Sequence, residues 1–153
     1  MKILITGCRG QLGTELIKQL NTKGNEIIET DIHNLDITSQ VEVFDLIDRK
    51  KPQIVVNCAA YTNVDACEND ELSAFKINAI GAQNLSTAAY RIGAGIVQIS
   101  TDYVFDGELN KPKREYDSVN PQSCYGRSKA YGERLVRETN PKHFVIRTAW
   151  LYG

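Results

Sequence analysis

Short apolar runs alternate along the chain with longer segments in which apolar residues recur every three or four positions. The apolar runs lie at 2–6 (KILIT), 25–30 (NEIIET), 53–57 (QIVVN), 95–100 (GIVQIS) and 143–148 (HFVIRT). Each run is nearly continuous rather than alternating, which is typical of strands that helices cover on both faces. The pattern therefore predicts five buried strands.

The segments between the runs have helical periodicity. Apolar spacing predicts helices around 12–20 and 41–47, and longer helices over 73–93 and 122–138. Regular alternation of strand and helix requires right-handed crossovers and a parallel sheet, so we expect an α/β fold, doubly wound and mostly parallel, with helices on both faces. Segment 102–121 has neither pattern, and a loop of that length is more often functional than idle.

Composition and charge narrow the class of protein. The 153 residues are 42% hydrophobic and 24% charged, which is ordinary for one globular domain. A formal net charge of −1 gives no electrostatic reason to expect nucleic acid or an anionic membrane surface as a partner. No apolar run approaches the length of a membrane span or of a signal peptide's hydrophobic region.

The cysteines disfavour both a disulfide framework and a zinc site. Cys8, Cys58, Cys67 and Cys124 form no Cys-x-x-Cys pair, and the chain has only two histidines. We therefore expect no metal site and a reducing, cytoplasmic location.

Three glycines, each three residues apart, separate the first strand from the first helix. In this position Gly7 would form the tight turn, Gly10 would let a pyrophosphate approach the backbone, and Gly13 would let the helix pack close to the strand. The alternative is a strand-to-helix turn that is rich in glycine for local reasons only. The strand before the motif and the helix after it favour the dinucleotide site.

Two charged residues favour different dinucleotides. Asp31 follows the second strand, where a carboxylate accepts both hydroxyls of an adenosine ribose and repels a 2′-phosphate, which favours NAD(H). Arg9 lies beside the glycines and could pair with a 2′-phosphate, or simply be solvated. The choice between NADH and NADPH stays open at this point.

Candidate chemistry follows the fourth strand and opens the last helix. Ligands of open α/β sheets bind beyond the carboxyl ends of strands, which places Ser100, Thr101 and Asp102 well. Tyr125 and Lys129 are one helical turn apart, so we expect the ammonium to lower the pKa of the phenol. Thr101, Tyr125 and Lys129 together would transfer a proton beside a nicotinamide that carries the hydride. The alternative is a Tyr-x-x-x-Lys spacing that arises by chance.

Segments along the whole chain form a combination more specific than any one motif. They are GCRGQLG (7–13), LDIT (35–38), VNCAAYTNVDACE (56–68), KINAIGAQNL (76–85), QISTDYVFDG (98–107), NPQSCYGRSKAYGE (120–133) and IRTAWLYG (146–153). With these segments the chain resembles the extended short-chain dehydrogenase/reductase family. Within that family it resembles the reductases of dTDP-linked 4-keto sugars.

The resemblance implies an activity and a domain organisation. The implied reaction is reduction of the 4-keto group of dTDP-4-dehydro-L-rhamnose to dTDP-L-rhamnose with NADPH or NADH. The family continues well beyond position 153, so we expect residues 1–153 to be an NAD(P)-binding Rossmann domain, incomplete at its C-terminal end and truncated before the substrate domain. Turnover would then need the missing part, and a homodimer is an option for the full-length protein.

The resemblance also implies cofactor contacts. Gly7 and Gly13 would form the turn, and the pyrophosphate would contact Gly10, Gln11 and Leu12. The adenosine would contact Asp31, Asp36 and Ile37. The nicotinamide side would lie near Ala60, Tyr61 and Thr62, and the nicotinamide ribose would contact Tyr125 and Lys129.

Substrate contacts and catalytic roles are implied in the same way. Thr101 and Asp102 would contact the sugar, and Trp150 would lie against the nucleotide-sugar. Tyr125 would donate the proton, with Thr101 and Lys129 completing the catalytic set.

Several of these residues have an ordinary structural alternative. Asp36 could cap the helix that begins near Thr38 or Ser39, and Trp150 could belong to the core. Glu68, like Asp65, could lie on a solvated helix start. Cys58 is expected to be a small buried apolar residue, and nothing near Cys124 would act as its base.

Two other functions fit the same scaffold. A nucleotide-sugar epimerase or dehydratase would recycle its cofactor without net consumption. A non-catalytic regulatory subunit, such as the relative that regulates methionine adenosyltransferase, would use the scaffold to bind a partner.

Overall fold

The five apolar runs form five strands of one sheet. In the computed structural model, which describes residues 1–108 and 112–152, the strands are β1 (Lys2–Thr6), β2 (Glu26–Thr30), β3 (Ile54–Asn57), β4 (Gly95–Thr101) and β5 (His143–Thr148). Each lies within one residue of its predicted bounds. The expected burial holds for the three central strands β1, β3 and β4, which contain no exposed residue. It is wrong for the edge strands β2 and β5, which contain exposed residues, Phe144 of β5 being 71% exposed.

All neighbouring strands are parallel, in the order β2-β1-β3-β4-β5. The chain therefore runs from β1 outward to β2 on one side and returns to β3 on the other. This reversal opens a crevice beyond the carboxyl ends of β1 and β3, which is where open α/β sheets bind their ligands. The doubly wound fold predicted from the sequence is confirmed.

Six α-helices and a π-helical segment connect these strands in the described part of the chain. They are α1 (Gln11–Asn21), α2 (Gln40–Lys50), α3 (Val64–Asn69), α4 (Glu71–Phe75), the π segment (Lys76–Gly81), α5 (Ala82–Arg91) and α6 (Cys124–Thr139).

The helix predicted over 73–93 is present as contiguous helical segments from Glu71 to Arg91, with the π segment between α4 and α5, and the short helix α3 precedes it. The Asn63 side chain caps α3 by accepting from the Ala66 N–H at 3.0 Å. Asp70 then ends α3 and caps α4 by accepting from the Ser73 N–H at 3.1 Å. Periodicity does not detect such side-chain caps, whereas the geometry shows them directly.

The main core lies between the sheet and the helices α2, α5 and α6. Leu4, Val55 and Ile96 line the middle of β1, β3 and β4, and Leu85 of α5 and Val136 of α6 pack against them. All five side chains are at most 1% exposed. This packing fixes α6 against β4, whose carboxyl end carries the candidate chemistry.

A row of polar side chains crosses the sheet interior at the same end. Thr6, Asn57 and Gln98 occupy matching positions on β1, β3 and β4. The Thr6 hydroxyl donates to Asn57 Oδ1 at 2.6 Å, and Asn57 Nδ2 donates to Gln98 Oε1 at 2.8 Å. Asn57 Oδ1 also accepts from the Ala59 N–H at 3.2 Å, so the row anchors the segment that follows β3.

The irregular segment 102–121 begins with one 3₁₀ turn over Asp102–Val104. Its residues 109–111, like Gly153 at the end of the motif 146–153, lie outside the described residues. Throughout ranges 1–108 and 112–152, none of the helices combines the length and apolarity that crossing a membrane requires.

Candidate active site

A crevice of about 700 Å³ lies beyond the carboxyl ends of the strands. Its walls include every predicted site residue except Tyr61: Gly7, Gly10, Gln11, Leu12, Gly13, Asp31, Asp36, Ile37, Ala60, Thr62, Thr101, Asp102, Tyr125, Lys129 and Trp150. Residues that lie more than a hundred positions apart in the sequence therefore share one concave surface.

The glycine turn lies against the segment that follows β3. Gly7 has φ +64°, and a Cβ there would come within 2.8 Å of the Ala59 nitrogen. A Cβ on Gly13 would collide with the Gly7 carbonyl oxygen. Both positions therefore require glycine, Gly7 for its left-handed backbone and Gly13 for close helix–strand packing, as predicted. Gly10 caps α1 without a side-chain hydrogen bond, and Gln11, Leu12 and Gly13 of the first turn of α1 line the crevice.

Asp31 lies on the crevice wall directly after β2. Its carboxylate accepts from the Arg9 N–H at 3.2 Å and from the Ile32 N–H at 2.8 Å, which joins the end of β2 to the glycine turn. Asp31 lines the crevice, whereas the exposed Arg9 side chain does not.

Asp36 does not cap α2. Its Oδ1 accepts from the Thr38 N–H and the Thr38 hydroxyl, both at 2.8 Å, and the N-cap of α2 is Ser39. The capping alternative is therefore wrong for Asp36, which lies on the crevice wall beside Ile37.

Among the described residues, Tyr61 is the predicted site residue that does not line the crevice. Its ring packs against the small core cluster formed by Cys67, Ala74, Cys124 and Tyr125. The contact expected between Tyr61 and a nicotinamide stays a prediction.

Asn78 of the π segment holds the Tyr61 backbone in place. Asn78 Oδ1 accepts from the Tyr61 N–H at 2.8 Å, and Nδ2 donates to the Tyr61 carbonyl at 3.0 Å and to Ser128 Oγ at 3.0 Å. Sequence reasoning missed Asn78, and the only signal available was its place within the motif 76–85.

Thr101 and Tyr125 meet at the end of β4, where both are buried. Burial raises the pKa of Tyr125, and a hydrogen bond with Thr101 partly opposes that rise, while Asp102 adds to it. The Tyr103 ring stands edge-on to the Tyr125 ring with centroids 5.6 Å apart. The phenol therefore keeps its proton at neutral pH, which suits a proton donor.

Lys129 does not contribute to the pKa of Tyr125 in the way the sequence suggested. Its Nζ donates to the Ile99 carbonyl at 2.7 Å, and its side chain is almost entirely buried. Burial lowers the pKa of Lys129 to about 8, and the Glu133 carboxylate and the Cys58 thiol oppose that shift. The expected lowering of the Tyr125 pKa is wrong for the protein alone, because desolvation of the phenol outweighs the charges near it.

The alternatives for Trp150, Cys58 and Glu68 are now decided. Trp150 is 80% exposed, so it is not a core residue. Cys58 lines the crevice half-buried, and burial raises its pKa to about 11, which leaves the thiol unreactive at neutral pH. Glu68 accepts from the Cys124 N–H at 2.6 Å, so it contacts the first turn of α6 and is more than a solvated charge.

The sequence of residues 1–153 matches the family profile described as RmlD substrate binding domain over its whole length. The chain belongs to the RmlD substrate binding domain family. The resemblance that the motifs carried is thereby confirmed.

Relatives of this RmlD-family chain include named reductases. It is 44% identical over 153 residues to a dTDP-4-dehydrorhamnose reductase of Aggregatibacter actinomycetemcomitans, covering 99% of this chain and 52% of that protein. The chain spans about half the length of the curated relatives it matches.

Solved structures show the same architecture. A dTDP-4-dehydrorhamnose reductase of Clostridium acetobutylicum is 58% identical with a TM-score of 0.98, over 100% of this chain and 55% of that one. A Bacillus anthracis dTDP-4-dehydrorhamnose reductase in complex with NADP is 43% identical with a TM-score of 0.97, over 99% of this chain and 54% of that one.

Proposed function

We propose that the chain is the cofactor-binding part of an NADPH- or NADH-dependent dTDP-4-dehydrorhamnose reductase. The reaction would reduce the 4-keto group of dTDP-4-dehydro-L-rhamnose to the alcohol of dTDP-L-rhamnose. One observation carries the proposal: Thr101, Tyr125 and Lys129 are buried on the wall of the same crevice as the glycine turn. The names of the relatives supply the sugar.

The residues of the crevice fit a nicotinamide dinucleotide. The N-terminus of α1 presents backbone N–H groups and the positive end of a helix dipole to a pyrophosphate. Asp31, on the crevice wall, offers carboxylate oxygens to ribose hydroxyls. Lys129 and Tyr125 would hold the second ribose. When bound, the cofactor supplies the hydride.

The chemistry of the chain itself is proton transfer and orientation. Tyr125 would donate its phenolic proton to the alkoxide that forms at C4, and its raised pKa keeps that proton in place until then. The Thr101 hydroxyl would orient the carbonyl, and the exposed Asp102 and Trp150 would contact the sugar from the mouth of the crevice.

Replacement of the phenol tests this function. In the full-length protein that contains this sequence, Tyr125→Phe is expected to lower kcat by about 100-fold or more. NADPH affinity is expected to stay nearly unchanged, because the ring and Lys129 remain. The measurement is consumption of NADPH and, separately, NADH with dTDP-4-dehydro-L-rhamnose, beside a fluorescence titration of each cofactor.

A matched control is Tyr131→Phe on the same helix, which removes a hydroxyl outside the crevice lining and should leave kcat unchanged. Turnover near the wild-type rate in Tyr125→Phe would exclude Tyr125 as the donor. Absence of net NADPH consumption by the wild type, with product formed, would instead identify an epimerase or dehydratase.

Partners and location complete the proposal. The substrate partner is a dTDP-4-keto sugar, and a homodimer of the full-length protein is checked by sedimentation of that protein. All four cysteines are free thiols, which supports a cytoplasmic location because the cytosol keeps thiols reduced.

A further inference from the structure

Glu133 of α6 is a buried carboxylate with a full set of partners. Its Oε1 accepts from the Ser100 hydroxyl at 2.6 Å and from Arg147 Nε at 2.9 Å. Its Oε2 accepts from Arg147 Nη2 at 2.7 Å and from Arg137 Nη2 at 3.2 Å. The Glu133 side chain is 2% exposed and that of Arg147 is 14% exposed, so this pair lies inside the molecule.

Glu133 and Lys129 hold consecutive residues of β4 from consecutive turns of α6. Lys129 Nζ donates to the Ile99 carbonyl at 2.7 Å, and Glu133 accepts from the next residue, Ser100. The residue after Ser100 is Thr101, which lines the crevice. Arg147 lies directly opposite Ser100 on β5. One carboxylate therefore joins α6, β4 and β5 at the edge of the sheet that carries the candidate site.

Among the charges near Lys129, the Glu133 carboxylate does most to favour the charged ammonium. Glu133 on the same helix and the Cys58 thiol after β3 both favour the charged ammonium, and burial opposes it. Around Glu133 itself stand Arg137 on α6 and Arg147 on β5. Without the Glu133 charge, these cations and burial would all act against the ammonium of Lys129.

We propose that Glu133 is a positioning residue of the reaction: together with Arg147 it aligns the end of β4 with α6 and keeps Lys129 cationic. A contact between Lys129 and the nicotinamide ribose rests on the proposed function, whereas the coupling of Glu133 to Lys129 is a property of this chain alone. An experiment can therefore overturn the proposed function without overturning the coupling, and the reverse.

The coupling is tested by an NMR titration of lysine labelled with ¹³C at Cε in the 153-residue chain. Lys129→Met assigns the signal. Glu133→Gln keeps the shape of the side chain and is expected to raise the acid dissociation constant of Lys129 about tenfold or more. Glu138→Gln removes an exposed carboxylate of the same helix, paired with Arg134 at 2.7 Å, and should leave the constant unchanged. An unchanged constant in Glu133→Gln would overturn the proposal.

A second variant distinguishes an effect of the Glu133 charge from a loosening of the side-chain cluster. It also replaces the first variant as the test if Glu133→Gln does not fold. Arg147→Gln removes a cation and leaves the Glu133 charge to act on Lys129, so the dissociation constant of Lys129 should fall. Loosening of the cluster would instead shift both variants in the same direction. A constant in Arg147→Gln that rises or does not move would count against the proposal.

The pH dependence of NADPH affinity tests whether Glu133 acts through the protonation of Lys129. For Glu133→Gln the loss of affinity relative to wild type should be small at pH 6, where Lys129 is charged in both proteins, and should grow toward pH 8. An equal loss at both pH values would mark Glu133 as a purely structural residue. Failure of the wild type to bind NADPH would overturn the proposed function, while the NMR titration would still decide the coupling.

Discussion

The ammonium of Lys129 lies out of solvent between the end of β4 and the side of α6. Burial disfavours its charge, which is why its pKa falls to about 8 instead of the usual 10.5. Burial disfavours the charged form of Tyr125 as well, one turn earlier, because it raises the pKa of the phenol. Two titratable groups whose charged forms are both disfavoured at one cleft are typical of a functional site.

The cost of this burial predicts a pH dependence for Lys129→Met. Between pH 8 and 10.5 the unfolded chain binds the Lys129 proton and the folded chain does not, so this lysine makes wild-type stability rise with pH. The methionine variant lacks that rise. Its free energy of unfolding relative to wild type should therefore fall by up to about 3 kcal/mol across this range.

Urea unfolding of both proteins at several pH values measures that difference. Lys142→Met, at an exposed lysine beyond α6, is the control, and its difference from wild type should be nearly constant. A Lys129→Met difference that is also independent of pH would show that Lys129 is as well solvated in the folded chain as in the unfolded one.

Helix α6 carries Tyr125 and Lys129 of the candidate site, and contacts on both sides of these two residues fix its position. Ser123 caps it by accepting from the Gly126 N–H at 3.0 Å, and Glu68 accepts from the Cys124 N–H. Gly132 lets α6 approach the π segment, because a Cβ there would collide with the Asn78 carbonyl oxygen. The helix is thus anchored one residue before Tyr125 and about two turns after it.

Removal of the Glu68 carboxylate tests this anchor. Glu68→Ala is expected to lower the free energy of unfolding by about 1 kcal/mol, since a charged partner of the first-turn N–H groups is lost. Glu71→Ala is the matched control, because both carboxylates lie 4.0 Å from Arg127 and only Glu68 contacts the helix backbone. Equal losses in urea unfolding would show that Glu68 acts through Arg127 alone.

The whole molecule places one crevice at the point where the strand order reverses. The glycine turn after β1, the segment after β3 and the end of β4 reach it from different parts of the sequence, and α6 closes one side. The Thr6–Asn57–Gln98 row and the Glu133–Arg147 pair hold these strand ends together. The crevice is therefore a product of the complete sheet.

If that crevice binds the cofactor, NADPH must stabilise the folded chain. At a concentration of 100 times its Kd, NADPH should raise the free energy of unfolding by about 2.7 kcal/mol. Reduced nicotinamide mononucleotide at the same concentration should stabilise less, because the contacts expected at Asp31 are lost. A urea midpoint that NADPH leaves unchanged in the folded chain would contradict the dinucleotide site.

The sequence by itself determined the five strands, the parallel doubly wound fold and a set of site residues of which all but Tyr61 line the crevice, and its motifs indicated the family. These features depend on local patterns: a continuous apolar run predicts a buried strand, and Gly7 and Gly13 are needed because no Cβ fits beside the neighbouring backbone.

Only the tertiary structure decided the packing of Tyr61 against the small core cluster, the π segment within the helix predicted over 73–93, the direction of the Tyr125 pKa and the partners of Glu133. Each of these depends on burial or on contacts between residues far apart in the chain, such as Asn78 with Tyr61 and Glu133 with Ser100. Spacing along a sequence reports which side chains share a face of one helix or strand. Desolvation and hydrogen bonding between elements are set by packing, so they become visible only in the folded molecule.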